Sequence, residues 1–249
     1  MYARLSVWLV FAAAFGTALV TGLGAVPLIF LRARSDAWLG GGDAIAAGMM
    51  TAASIALLYE GGRDDVALAC VGLAVGALFM IGARRVASHR HTLTFGALRG
   101  ADAVAALAIV GAMTIHSFTE GAGVGVSFGG GKTLGFLIAI AIAVHNIPEG
   151  LAVSLVLVPR GTSVTRAAAW SVITSLPQPL VAVPAFLFVE EFGSLLPLGL
   201  GFAGGAMVWI ALTQLMPDAL RLTSTRSAII AAATSAAAML ALQAFLLGV

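Results

Sequence analysis

Long apolar runs alternate along this chain with short stretches that collect its charges. A membrane-spanning helix takes about 20 residues. Hydropathy read together with charge predicts eight of them, at about residues 5–31, 44–59, 66–83, 103–128, 134–158, 167–189, 195–215 and 228–249. The expected fold class is an all-α membrane protein with eight transmembrane helices in one polytopic domain, residues 1–249. The second and third segments are short, and the acidic stretch Glu60-Gly61-Gly62-Arg63-Asp64-Asp65 between them predicts a turn. The longest loop, about 84–102, carries His89-Arg90-His91. That tripeptide reads either as part of a basic loop or as a weak metal-collecting segment, since imidazole is a common ligand.

Composition supports the membrane reading and removes several alternatives. Of 249 residues 60% are apolar and only 10% charged, against about 25% charged in soluble domains. Too few charges remain to coat a water-facing surface, and no length is left for a sizeable extramembrane domain. The 30 glycines suit membrane helices, whose backbones approach closely at small residues. The net charge of +2 comes from basic residues placed singly or in pairs, which is no track for nucleic acid. Cys70 is the one cysteine, so neither an internal disulfide nor a thiolate zinc cluster is available. The apolar run after Arg4 exceeds a signal-peptide core of about 7–15 residues and reads as a first membrane helix. Trp8, Trp38, Trp170 and Trp209 mostly fall near segment ends, as interface anchors do.

Orientation follows from the basic residues. The first, third, fifth and seventh loops hold ten arginines: Arg32, Arg34, Arg84, Arg85, Arg90, Arg99, Arg160, Arg166, Arg221 and Arg226. The opposite side holds Arg4, Arg63 and Lys132, together with acidic Glu190 and Glu191. The positive-inside bias puts the ten in the cytoplasm and both termini outside, and an even number of spans agrees. The protein is expected as a multi-pass integral protein of a cell (inner) membrane, with the lipid bilayer as its surroundings.

Ionisable residues inside hydrocarbon are expensive and mark functional sites. The fourth segment contains His116-Ser117-Phe118-Thr119-Glu120-Gly121, and the fifth contains His145-Asn146-Ile147-Pro148-Glu149-Gly150. Residues four apart share a helix face, so His116 with Glu120, and His145 with Glu149, each present an imidazole and a carboxylate together. Ser117 and Asn146 stand beside them and can add oxygen ligands. Adjacent spans run in opposite directions, so the two copies meet at one depth. Two carboxylates balance one divalent cation, and imidazole with carboxylate suits Zn2+, Fe2+ or Mn2+ better than Ca2+ or Mg2+. Pro148 withholds a backbone donor from the Val144 carbonyl. Gly121 and Gly150, next to each glutamate, leave room for close helix approach.

These residues resemble the signature of the ZIP family of divalent-metal transporters. Ser175-Leu176-Pro177-Gln178, taken with the fourth-segment motif, resembles a divergent branch that includes plastid-type plant members. The resemblance implies a 3+2+3 arrangement, with spans four and five as a central hairpin between inverted three-span repeats, and a homodimer. It implies metal positions at His116, Glu120, His145, Asn146 and Glu149, and further polar pathway positions at Ser54 and Gln178. Ser117 and Thr119 replace the asparagine and proline usual in the fourth-span motif. Gln178 stands where many bacterial relatives have glutamate, and Thr213-Gln214 where relatives often have His-Glu. One ion held mainly by His116, Glu120, His145 and Glu149 is therefore expected.

The function expected is a secondary transporter carrying a divalent transition metal, zinc before iron or manganese, toward the cytoplasm. The ion is cargo, and no cofactor is expected. Gly129-Gly130-Gly131-Lys132-Thr133 lacks the spacing of a phosphate-binding loop, which argues against an ATP-driven pump. An intramembrane metallohydrolase would need His-Glu-x-x-His, which is absent, so no enzyme is expected. A transport-inactive relative acting as a metal sensor or scaffold is the alternative.

Overall fold

The computed structural model describes residues 7–30, 36–88 and 100–247. Within them the chain is helical and contains no strand. His89-Arg90-His91, Arg4, Arg32, Arg34 and Arg99 lie outside the described residues.

The first apolar stretch is α1 (Val7–Thr21), a tight turn over Gly22–Ala25, and α2 (Pro27–Phe30). Pro27 opens α2 because a helix can spare the first N–H. Next come α3 (Asp36–Asp64) and α4 (Val66–Ser88). The acidic stretch read as a turn is almost all helix, since α3 runs to Asp64 and only Asp65 separates the two helices. Asp65 caps α4, its Oδ1 accepting from Leu68 N at 3.0 Å. Gly61 is there for packing: a Cβ on it would press on the Pro197 carbonyl at 3.2 Å.

The central pair is α5 (Gly100–Gly129) and α6 (Lys132–Leu157), joined through Gly130 and a left-handed Gly131 at φ 119°. Then follow α7 (Val164–Ser175), α8 (Pro177–Glu191), α9 (Leu196–Ile210), α10 (Met216–Leu222) and α11 (Thr225–Leu247). Between α9 and α10 lies one wide π-helical turn, Ala211–Leu215. It precedes Pro217, and such turns accommodate a broken hydrogen-bond ladder.

Seven stretches are long and apolar enough to cross a membrane: Val7–Phe30, Asp36–Asp64, Val66–Ala83, Lys132–Arg160, Val164–Glu191, Gly193–Leu222 and Thr225–Leu246. Their composition makes this an integral, multi-pass membrane protein. Helix α5, 30 residues long, lies among them and packs against α6, α8 and α9.

Two groups of helices surround the α5–α6 pair. On one side α1, α7 and α8 pack on the pair, and on the other α3 and α9 do. Behind these, α4 seals against α9 and α11 against α3. Small residues set the α4–α9 seam. Gly72 and Gly76 of α4 lie against the carbonyls of Leu198 and Phe202, while Gly201 and Gly205 of α9 lie against those of Ala69 and Leu73. Each helix thus offers glycines four apart to the backbone of the other, which is how helices associate where lipid removes the hydrophobic drive.

Candidate metal centre

Two of the helix interruptions, the turn after α1 and the α7–α8 junction, fall where the chain crosses the central pair. The segment leaving α1 crosses α6, so that the Thr21 carbonyl lies against Gly150. The α7–α8 junction, where Pro177 cannot donate an N–H, crosses α5, so that the Gln178 backbone lies against Gly121. These contacts press α1 and α8 onto the faces that carry His116, Glu120, His145 and Glu149.

All four of those side chains are at most 2% exposed. Their ligand atoms lie within 4.8 Å of one another. Each imidazole comes closer to the carboxylate of the other helix than to that of its own. His116 Nε2 is 2.6 Å from Glu149 Oε1 but 3.2 Å from Glu120 Oε1. His145 Nε2 is 2.6 Å from Glu120 Oε1 but 3.6 Å from Glu149 Oε1. A tetrahedral ion with bonds of about 2.0–2.1 Å sets its ligands about 3.3 Å apart, and these separations bracket that value. His116 Nε2 and Glu149 Oε1 approach as an ion pair without the alignment of a hydrogen bond. Two carboxylates buried with two imidazoles need positive charge, since unpaired buried charge is strongly unfavourable, and one divalent cation supplies it.

A second layer of polar contacts surrounds the four. Gln178 Nε2 donates to Glu120 Oε2 at 2.6 Å. Its Oε1 accepts from the Thr17 hydroxyl and from Asn146 Nδ2 at 3.4 Å. Asn146 Nδ2 also donates to the Thr17 carbonyl at 2.9 Å, while its buried Oδ1 has no protein partner. Next to this, the hydroxyls of Thr21 and Ser175 pair at 2.9 Å, and Ser171 Oγ donates to the Gly150 carbonyl at 3.2 Å.

The structure thus brings together His116, Glu120, His145 and Glu149, with Gln178 against Glu120 and Asn146 against Gln178. Ser117 is buried one residue after His116. Ser54 is buried on α3, where its hydroxyl donates to its own helix at Met50 O, 2.8 Å away, and its carbonyl borders Gly204 of α9. Thr213 is on the π-helical turn and donates back to Trp209 O at 2.7 Å. Thr17 went unrecognised in the sequence. A threonine within an apolar run carries no local mark of function, and only the packing of α1 against α8 reveals it.

Long apolar helices enclosing two imidazoles and two carboxylates define a polytopic membrane protein with an interior group able to hold a cation. The sequence model of the family described as ZIP zinc transporter matches residues 88–249, well over half of the chain, and the chain belongs to that family. It is also similar to a protein of Arabidopsis thaliana provisionally named a zinc transporter, with 45% identity over 228 residues. That match takes in 90% of this chain but only 37% of the plant protein, so the chain spans little over a third of the relative's length.

Proposed function

We propose that the protein is a secondary transporter that moves a divalent transition-metal ion, zinc first, across a cell (inner) membrane toward the cytoplasm. The observation that carries this reading is the convergence of the ligand atoms of His116, Glu120, His145 and Glu149 within 4.8 Å inside the apolar bundle. Family membership and the provisional name of the plant relative favour a metal, and zinc, as cargo. Two nitrogens and two oxygens match the ligand preferences of that ion.

In this reading α5 is a spanning helix, which makes eight, and both termini face outward. The inverted 3+2+3 arrangement is supported by paired features. The first and sixth spans break where they meet α6 and α5, and the α4–α9 seam has its counterpart in α3–α11. The ion is cargo and no resident cofactor takes part; pairing into a homodimer follows from the family resemblance.

The test is Zn2+ accumulation by the purified protein in proteoliposomes. Time-dependent uptake that Glu149→Ala abolishes, in a variant that still elutes as folded protein, is the expected result. Zinc binding without flux would instead identify a sensor or scaffold, and absence of zinc binding would overturn the ion site altogether.

A further inference from the structure

We propose that Thr17 and Gln178 form a positioning pair that leaves Glu120 one ion-facing oxygen, and so selects a four-coordinate ion, Zn2+, over ions that prefer more ligands, such as Mn2+. The inference rests on the reading of the His/Glu group as the transported ion's site.

The Glu120 carboxylate is divided between two tasks. Its Oε1 is the atom that approaches His145 Nε2 at 2.6 Å and His116 Nε2 at 3.2 Å. Its Oε2 is held by Gln178 Nε2 at 2.6 Å. A carboxylate with both oxygens free can bind a cation through both, as at calcium sites. One whose second oxygen is engaged in a short, buried hydrogen bond offers a single ligand atom.

Gln178 can aim its nitrogen at Glu120 only because its oxygen is claimed on the other side. Thr17 Oγ1 donates to Oε1, and Asn146 Nδ2 adds a second donor at 3.4 Å. Turned over, the amide would set oxygen against the Glu120 carboxylate and nitrogen against the Asn146 nitrogen. The Thr17 hydroxyl is also 2.6 Å from the Ala14 carbonyl, so its one proton serves either acceptor. That makes it the adjustable member of the pair. Gln178 is 0% and Thr17 3% exposed, and bulk water cannot replace either contact. Counting one ligand atom from each of the four residues, with Glu120 held to a single oxygen, the group supplies four ligands, the number zinc takes and fewer than manganese prefers.

The experiment combines optical spectra of the purified protein titrated with Co2+ and uptake of Zn2+ in proteoliposomes against competing Mn2+. Thr17→Val keeps the shape of the side chain and removes its hydroxyl. It is expected to weaken the intense visible bands of four-coordinate Co2+ and to lower the preference for Zn2+ over Mn2+ by about 10-fold, the size typical when a partner of a metal ligand is lost. Thr17→Ser restores both readouts. Gln178→Met gives the same shift from the other side of the bond, and decides the matter if Thr17→Val does not fold. Unchanged spectra and unchanged preference in the folded variants overturn the proposal. So does an equal loss of both metals with an unchanged spectrum, which would mark a packing role. Wild-type protein whose Co2+ spectrum is already that of five or six ligands overturns the pair and leaves transport standing. Four-coordinate Co2+ in wild-type protein that carries no metal overturns transport, and the spectral arm still tests the pair.

Discussion

The carbonyl of Thr21 occupies the space that a Cβ on Gly150 would need. Gly150 directly follows the ligand candidate Glu149, and Thr21 lies one helical turn after Thr17, so this one close approach sets α1 against the ion group. Gly121 has the same relation to the backbone of Gln178. A methyl group at either position forces the crossing segments apart. Gly150→Ala and Gly121→Ala are each expected to destabilise the protein by about 1–3 kcal/mol, as overpacking does, and to weaken Zn2+ binding. Gly111 of α5 has open space around its Cα, so Gly111→Ala is expected to leave binding intact. Thermal unfolding in detergent and zinc titration of the three variants check this.

The two carboxylates have equal standing in the charge balance of a divalent ion. Replacing either by its amide leaves the site one negative charge short and removes an anionic ligand. Glu120→Gln and Glu149→Gln are each expected to weaken Zn2+ binding by more than about 100-fold, beyond the loss typical for an outer partner of a ligand. Isothermal titration of the purified variants measures it, and a change under tenfold in either would remove that glutamate from the site.

The α4–α9 seam is a packing device away from the ion group. Gly76 meets the Phe202 carbonyl, whereas Gly82, further along the same helix, has nothing within 4 Å. Gly76→Leu is therefore expected to abolish the folded protein, and Gly82→Leu to leave folding and metal binding near wild type. Size-exclusion profiles of the two variants decide it.

Binding requires deprotonated ligands. Protons compete with the ion for the same ligand atoms, so apparent Zn2+ affinity weakens as pH falls. The expected readout is a rise in the apparent KM for Zn2+ uptake as pH is lowered, with proton release on zinc binding in weakly buffered solution.

Local spacing was enough to define what each helix presents. His116 with Glu120, and His145 with Glu149, share faces because the α-helix repeats every 3.6 residues, and long apolar runs made the all-helical membrane architecture legible. Spacing could not say which carboxylate an imidazole meets most closely. Packing of α5 against α6 decided that, and the closer partners lie across the helices. Nor could it separate Ser54, whose hydroxyl turns back to its own helix, from Gln178, whose amide reaches Glu120 from a distant segment. The stretch from Glu60 to Asp65 reads locally as a turn, yet it is helical through Asp64, with Gly61 packed against α9. Periodicity along one helix is a property of the chain. The partners of Thr17, Gly121, Gly150 and Gln178 come from segments far apart in sequence, and only tertiary packing brings them within reach.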